Sequence, residues 1–437
     1  MRIVAPPHVI PENDFGPDLF GRKNFGIALA NIVKNSKDSL VIGLDGNWGE
    51  GKSTFVRSWQ KILDKDEVPN IYIDAFASDY VDDAFMVVAG AITDYVSANA
   101  PEQKSKEFID KAKNVGAHVL SLGAKIGIRA LSAGVIKEAD FQELGKIGED
   151  ISKDISTSAE KYIKERLTNH KTERQSIEQF KTFLSTIPSS LKVPSESPLT
   201  IIIDELDRCR PSFAVEMLEK IKHLFSVPNV NFLLVINKTQ LQESIKATYG
   251  SNINAHTYLQ KFITIEATLP KKKGRNSDIG KYCQYLAEQY ELDKNDWVEL
   301  ITALATQLNC SLRELERVFS NIAIMLMTER PGADVNTTLI SAICVLKVMR
   351  PGIFARLAEG NVLIEEIQEA LSYRLDPKSE NYVMQYILKW LHTCVMSDEE
   401  FNNLDEGNEL RGMGRHYRFR GQIVGLLTQK LNSFTAG

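Results

Sequence analysis

Eight consecutive residues, Gly46-Asn47-Trp48-Gly49-Glu50-Gly51-Lys52-Ser53, satisfy the pattern G-x-x-x-x-G-K-[ST] at every specified position. The chemistry served by this spacing is a grip on polyphosphate. Glycines let the backbone wrap around phosphate oxygens in conformations that a side chain obstructs. Amide N–H groups at the start of the following helix then face the anion. Lys52 is placed to reach the β- and γ-phosphates, the Ser53 hydroxyl to ligate Mg²⁺, and Thr54 to touch the α-phosphate. The competing reading is a glycine-rich turn that happens to precede a helix.

A second group lies far downstream. Ile201-Ile202-Ile203-Asp204-Glu205 is an apolar run ending in two carboxylates. Asp204 would hold the water shell of Mg²⁺, and Glu205 would polarise an attacking water, with Asp207 as its competitor. Phosphoryl transfer depends on positioning and charge stabilisation, so this small kit suffices. Acids after buried strands are common; the upstream loop gives these two their weight. Asn237 closes a further apolar run, and reads either as a polar group between water and γ-phosphate or as a turn residue. Other chemistries find less support. The seven histidines share no metal-ligand spacing and no H-E-x-x-H is present, nor is there a G-x-S-x-G elbow.

The elements that must position these groups alternate in type. Leu40–Leu44, Ile71–Phe76, Thr200–Asp204, Asn231–Asn237 and Phe262–Leu269 read as strands, most of them continuously apolar. Helical patterns cover about Phe25–Asn35, Gly51–Leu63 and Phe213–Phe225. The alternation predicts an α/β fold with a parallel sheet covered on both faces. Residues 85–198 carry no strong strand signal and read as a long helical insertion within this core, whose two parts are 1–84 and 199–270. Residues 271–437 read as a helical C-terminal region, in which Ser311-Leu312-Arg313-Glu314 and Ser397-Asp398-Glu399-Glu400 both have capping-box form.

Composition bounds the setting. With 437 residues the chain holds two to four domains at ordinary domain size, and 52 basic against 57 acidic side chains exclude a globally basic nucleic-acid binder. Five scattered cysteines without a C-x-x-C pair suggest reduced thiols and a cytoplasmic location, and the N-terminus lacks an apolar core of signal-peptide length. Residues 115–136 are apolar but broken by Lys125 and Arg129, short of the roughly 20 apolar residues of a span, so a packed or membrane-peripheral helix is expected. The basic run Lys271–Arg275 reads as a solvated link. Arg415-His416-Tyr417-Arg418-Phe419-Arg420 reads as docking the acidic block Ser397–Leu410, with nucleic acid as the weaker alternative.

With these residues in hand, the chain resembles the KAP family of P-loop NTPases, within the broader STAND and AAA-like ATPases. Four pieces carry the resemblance: Asp18-Leu19-Phe20-Gly21-Arg22-Lys23-Asn24-Phe25, the Gly46–Thr54 loop with its Trp48-Gly49, Asp204-Glu205-Leu206-Asp207-Arg208-Cys209-Arg210-Pro211, and Tyr258–Ile263 running to Leu269-Pro270. Phe76 stands where the family usually has Trp. The resemblance implies binding of ATP or GTP along Asn47, Trp48, Gly49, Glu50, Gly51, Lys52, Ser53 and Thr54, with Mg²⁺-dependent hydrolysis. It implies that Gly21 and Arg22 lie near the base or sugar. Arg208 would stabilise charge across a subunit boundary or pair with Asp207. Arg313, or Arg317 one turn later, would be a sensor of γ-phosphate or else an exposed helix-face residue. A homo-oligomer or protein partner is implied as well, and a switch role, often in bacterial defence against phage or mobile elements. The alternatives are a nucleotide-gated protein or nucleic-acid binding module with negligible turnover, and a peripheral membrane ATPase.

Overall fold

The computed structural model describes residues 2–3, 18–110, 175 and 178–434, apart from 37, 82, 223, 272–277, 293, 329–335, 377–378 and 416–419. The expected helix at 115–136 therefore lies outside the described residues. Among those described, no helix is long and apolar enough to cross a membrane.

Five parallel strands form the sheet: β1 (Val41–Asp45), β2 (Asn70–Asp74), β3 (Leu199–Asp204), β4 (Val230–Ile236) and β5 (Ile265–Thr268), in the order β2-β3-β4-β1-β5. The apolar runs have a simple cause. Successive side chains of a strand point to opposite faces, and here both faces are covered. Ile201, Ile203, Phe232 and Leu234 enter one core, while Ile202, Leu233 and Val235 enter the other. The first face is covered by α3 (Ala84–Asn99), α4 (Pro211–Ile221) and α5 (Lys238–Tyr249), the second by α1 (Lys23–Asn35) and α2 (Lys52–Lys65). The fifth strand is shorter than its sequence suggested. Only Ile265–Thr268 pairs, and it does so at the sheet edge, where alternate residues are half-buried and the apolar signal is weakest.

The described ends of the expected insertion do not stand apart. Phe85, Val88, Ile92 and Val96 of α3, together with Phe108, Phe180, Phe183 and Leu184, belong to the same core as β2 and β3. The C-terminal region is helical and has its own core, which runs from Cys283 to Leu431. Its first helices are α6 (Asp278–Gln289), α7 (Lys294–Leu308) and α8 (Leu312–Met327). Ser311 and Glu314 close the expected capping box on α8 reciprocally, at 3.3 and 2.7 Å. Near the C-terminus, Arg420 donates to the carbonyls of Thr393, Met396 and Ser397 and pairs with Asp398 at 2.6 Å. Of the expected docking onto the acidic block, the described residues show this much: Arg420 reaches Ser397 and Asp398, and Arg415 is exposed.

Register places the site. Asp45 pairs with Ile236 and Asp74 with Asp204, so the carboxyl ends of β1, β2, β3 and β4 lie along one rim. With β4 between them, the strands β1 and β3 that carry the glycine-rich loop and the downstream acids are two strand spacings apart, roughly 10 Å.

Candidate functional site

The loop after β1 turns into α2 through two left-handed glycines, Gly49 at φ +77° and Gly51 at φ +79°. The first also needs its lack of a side chain. A Cβ on Gly49 would lie 2.8 Å from Ser311 Oγ and 3.2 Å from Arg313 Cβ. No side chain caps the start of α2, which leaves its first amides to a ligand. Lys52 is nearly buried, and its Nζ donates to the carbonyls of Gly46 at 2.5 Å and Asn47 at 3.1 Å. Burial lowers its pKa, opposed by Asp207, Asp204, Glu50 and Asp45.

The acids at the tip of β3 are held from several sides. Asp204 accepts from Tyr72 Oη and the Glu205 amide, each at 2.8 Å, and the Ser53 hydroxyl stands near it in the same cavity. At 1 % exposure, burial raises its pKa despite these donors and Lys52. Glu205 sits in the left-handed region at φ 60°, a conformation costly for a residue with a side chain, and pairs with Arg208 at 2.9 Å. Burial raises its pKa as well; Arg208 opposes, Asp204 and Asp74 add to the rise, and Arg313 opposes. Asp207 instead accepts from the indole of Trp48 at 2.5 Å, which ties the loop to the acid segment. Arg208 thus pairs with Glu205, whereas the sequence reading offered Asp207.

A third wall comes from the helical region. The Leu312 amide at the start of α8 donates to the Gly49 carbonyl at 3.0 Å. Leu312, Arg313 and Glu316 of α8 and Tyr282 of α6 line one cavity with Asn47, Trp48, Gly49, Gly51, Lys52, Ser53, Thr54, Asp204, Glu205, Asp207 and Arg208.

Other expected residues stand outside this lining. Asn237 is buried and its oxygen caps α5 by accepting from the Gln240 amide at 3.3 Å. Gly21, at φ +65°, turns the chain into Arg22, which stands behind the loop. Arg22 Nη1 donates to the Glu50 carbonyl at 3.0 Å and lies over the Phe20 ring. The Glu50 side chain pairs with Lys271 at 2.6 Å, so the first residue of the basic run braces the loop where a solvated link was expected. Arg317 is exposed, one turn beyond Arg313. Sequence reasoning missed Tyr72, Tyr282 and Glu316. The first was within reach, since β2 must lie beside β3 for Asp74 to sit level with Asp204; the other two carry no local signal.

Comparison with solved structures gives slight likenesses. The ORC2 protein of Aeropyrum pernix, in its ADPNP–ADP complexes, is 14% identical with a TM-score of 0.36, over 88% of this chain and 89% of that one. Domain III of the replication initiation protein DnaA from Thermotoga maritima is 11% identical with a TM-score of 0.33, over 78% and 98%. The replication initiator DnaA bound to AMPPCP and single-stranded DNA is 9% identical with a TM-score of 0.32, over 87% and 96%. So slight a likeness adds nothing to what the strand order gives. No curated protein sequence matches the chain. The family model described as the KAP family P-loop domain matches residues 22–328, a stretch that takes in the glycine-rich loop, the strand-tip acids and the whole of α8. The chain therefore belongs to the KAP family of P-loop NTPases.

Proposed function

We propose that the chain binds and hydrolyses a nucleoside triphosphate, ATP in the first instance and GTP as the alternative, and turns the state of that nucleotide into the position of its helical region. One observation carries this reading: Lys52 and Ser53 of the loop line one cavity with the strand-tip acids Asp204 and Glu205. A hydroxyl and one carboxylate suit Mg²⁺, which keeps several waters and completes its shell with phosphate oxygens. Among the described residues, no group of three or more His, Cys, Asp or Glu side chains is placed to hold a metal by itself. Ser53 and Asp204 would hold the ion, which supplies charge neutralisation at the β- and γ-phosphate oxygens.

The chain's own residues do the rest. The uncapped amides of α2 bind phosphate oxygens, and Lys52 exchanges the carbonyls of Gly46 and Asn47 for phosphate. Glu205 orients the attacking water and accepts its proton; a carboxylate with a raised pKa is the better base at neutral pH. Asp207 is occupied by Trp48, which favours Glu205 for this work. Arg313 adds positive charge from α8. Because Leu312 bonds Gly49, a shift of the loop on loss of the γ-phosphate reaches the helical region directly.

The Arg208–Glu205 pair makes basal turnover slow, since the guanidinium shares the carboxylate that water needs. It also favours a second reading, a nucleotide-gated binding module with negligible turnover. Phosphate release with ATP or GTP and Mg²⁺ separates the two, with wild type measured beside Lys52→Ala and Glu205→Gln. Turnover that stops in both variants while Glu205→Gln still binds nucleotide supports hydrolysis. Binding without turnover at any protein concentration supports the gated module. The setting we propose, a cytoplasmic role in bacterial defence, rests on the family alone; unchanged phage plaque counts on cells expressing wild type or Lys52→Ala would end it.

A further inference from the structure

We propose that Glu316, held in place by Tyr282, accepts hydrogen bonds from the ribose hydroxyls of the bound nucleotide, so that the site selects ribonucleoside over deoxyribonucleoside triphosphates. This rests on reading the cavity as a nucleoside triphosphate site. A carboxylate in the wall of such a cavity calls for a reason. It repels phosphate oxygens, and once water is displaced an unmatched charged acceptor is costly.

Glu316 lines the cavity from α8, and its Oε1 accepts from the Tyr282 hydroxyl at 2.5 Å. Tyr282 is itself fixed. Its ring stacks on Tyr285, with centroids 5.9 Å apart and planes 20° from parallel, and packs against Phe20 at 5.8 Å. The carboxylate is therefore presented in one orientation by a neutral phenol, which leaves its negative charge available to a further donor.

Its place on α8 says which part of the ligand that donor belongs to. The helix starts on the phosphate loop, where the Leu312 amide meets the Gly49 carbonyl. Glu316 is about one turn further on, roughly 6 Å along the axis. Arg313 and Glu316 are three residues apart and so share a face of the helix. Along that face a cation comes first, suited to phosphate, and an acceptor follows, suited to a group that donates. In a nucleotide the phosphates have no donor to offer, and the next unit along, the sugar, has two hydroxyls. The order of charges on α8 matches the order of groups on the ligand.

The test is equilibrium binding of ATP, 2′-deoxy-ATP and 3′-deoxy-ATP, each with Mg²⁺, to the full chain and to Glu316→Gln, Tyr282→Phe and Lys52→Ala. Wild type should prefer ATP over at least one deoxy analogue by about tenfold or more, the net worth of a hydrogen bond to a charged acceptor. Glu316→Gln should shrink that preference by weakening ATP while leaving the disfavoured analogue unchanged. Tyr282 is a positioning residue, so Tyr282→Phe should narrow the same ratio without lowering affinity for the deoxy analogue. A merely structural role would weaken all three nucleotides together. Should Glu316→Gln fail to fold, Glu316→Asp, which keeps the charge and withdraws it by one methylene, must also narrow the ratio. Equal affinities in wild type, or equal losses in the Glu316 variant, overturn the proposal while Lys52→Ala still marks a working nucleotide site. Wild type that binds none of the three nucleotides removes the nucleotide reading and this proposal with it.

Discussion

The strand-tip side of the cavity and the α8 side are built to different standards of rigidity. Asp204 is buried at the end of a fully buried strand and accepts from Tyr72 and the Glu205 amide. Arg313, across the cavity, is on the exposed part of α8. The two sides belong to separate hydrophobic cores and meet where the Leu312 amide reaches the Gly49 carbonyl. A buried side chain fixed by two donors cannot follow a ligand, whereas a helix anchored in another core can move as a body. In the proposed mechanism the strand tips hold the chemistry still, and α8 is what the nucleotide moves.

Turnover offers the largest contrast. Glu205→Gln keeps the shape of the fixed side and removes its proposed base, so phosphate release should fall by about 10²- to 10⁴-fold with nucleotide binding kept. Arg313→Ala acts from the movable side and should cost less, on the order of 10²-fold, as for loss of one group that stabilises developing charge. Single-turnover rates measure both. A loss in Arg313→Ala equal to that in Glu205→Gln would mean that α8 is as much part of the fixed machinery as β3. If Arg208 acts across a subunit boundary as well as on Glu205, specific activity will rise with protein concentration in wild type and stay flat in Arg208→Ala.

The joint between the two sides can be probed by two glycines of like backbone. Gly49 at φ +77° and Gly360 at φ +73° each force an added side chain into the left-handed region, at about 1–2 kcal/mol. Around Gly360 nothing lies within 4 Å of the added Cβ, whereas at Gly49 it would meet Ser311 Oγ at 2.8 Å. Gly360→Ala should therefore lower thermal stability alone. Gly49→Ala should lower it and also weaken nucleotide binding, because the start of α8 is pushed off the loop. Equal nucleotide affinity in the two variants would show that the contact carries nothing.

The same division explains what could be read in the sequence. The loop motif, the β3 and β4 runs and the α8 capping box are local patterns, each set by residues within a few positions of one another, and each was legible. Opposite faces of one sheet made the strands apolar at every position, which is why they stood out. The edge strand β5 is half-exposed and gave a blurred boundary. The contacts that turn a motif into a site join distant parts of the chain: Tyr72 to Asp204, Trp48 to Asp207, Lys271 to Glu50, Leu312 to Gly49. No spacing rule connects such pairs. Asn237 shows the converse, a residue whose type suited two roles and whose oxygen is used by the helix it starts.

The smallest expected effect is thermodynamic and bears on the fixed side alone. Burial raises the pKa of Asp204 above its ordinary 3.8, against the hydrogen bonds from Tyr72 and the Glu205 amide, the nearby Ser53 hydroxyl and the charge of Lys52. The folded state then binds this proton more tightly than the unfolded state does. The stabilisation so gained is fully present below the unfolded value and is lost as pH rises through the folded one. At neutral pH an ionised Asp204 is thus a cost to the fold, and the Asp204→Asn variant, of the same shape without the charge, should melt at a higher temperature than wild type. The gain should shrink as pH is lowered and the wild-type acid takes up its proton. The rise in melting temperature that Mg²⁺ and nucleotide give the wild type, which follows from binding to the folded state alone, should diminish in the same variant. Melting curves from pH 4 to 8, with and without Mg²⁺ and nucleotide, measure both effects. An Asp204→Asn protein less stable than wild type at pH 7 without ligand would mean that the donors around the carboxylate outweigh burial. Asp204 would then be a structural anchor of the rim, and the site's rigidity would be stabilising where this reading makes it a cost borne for binding.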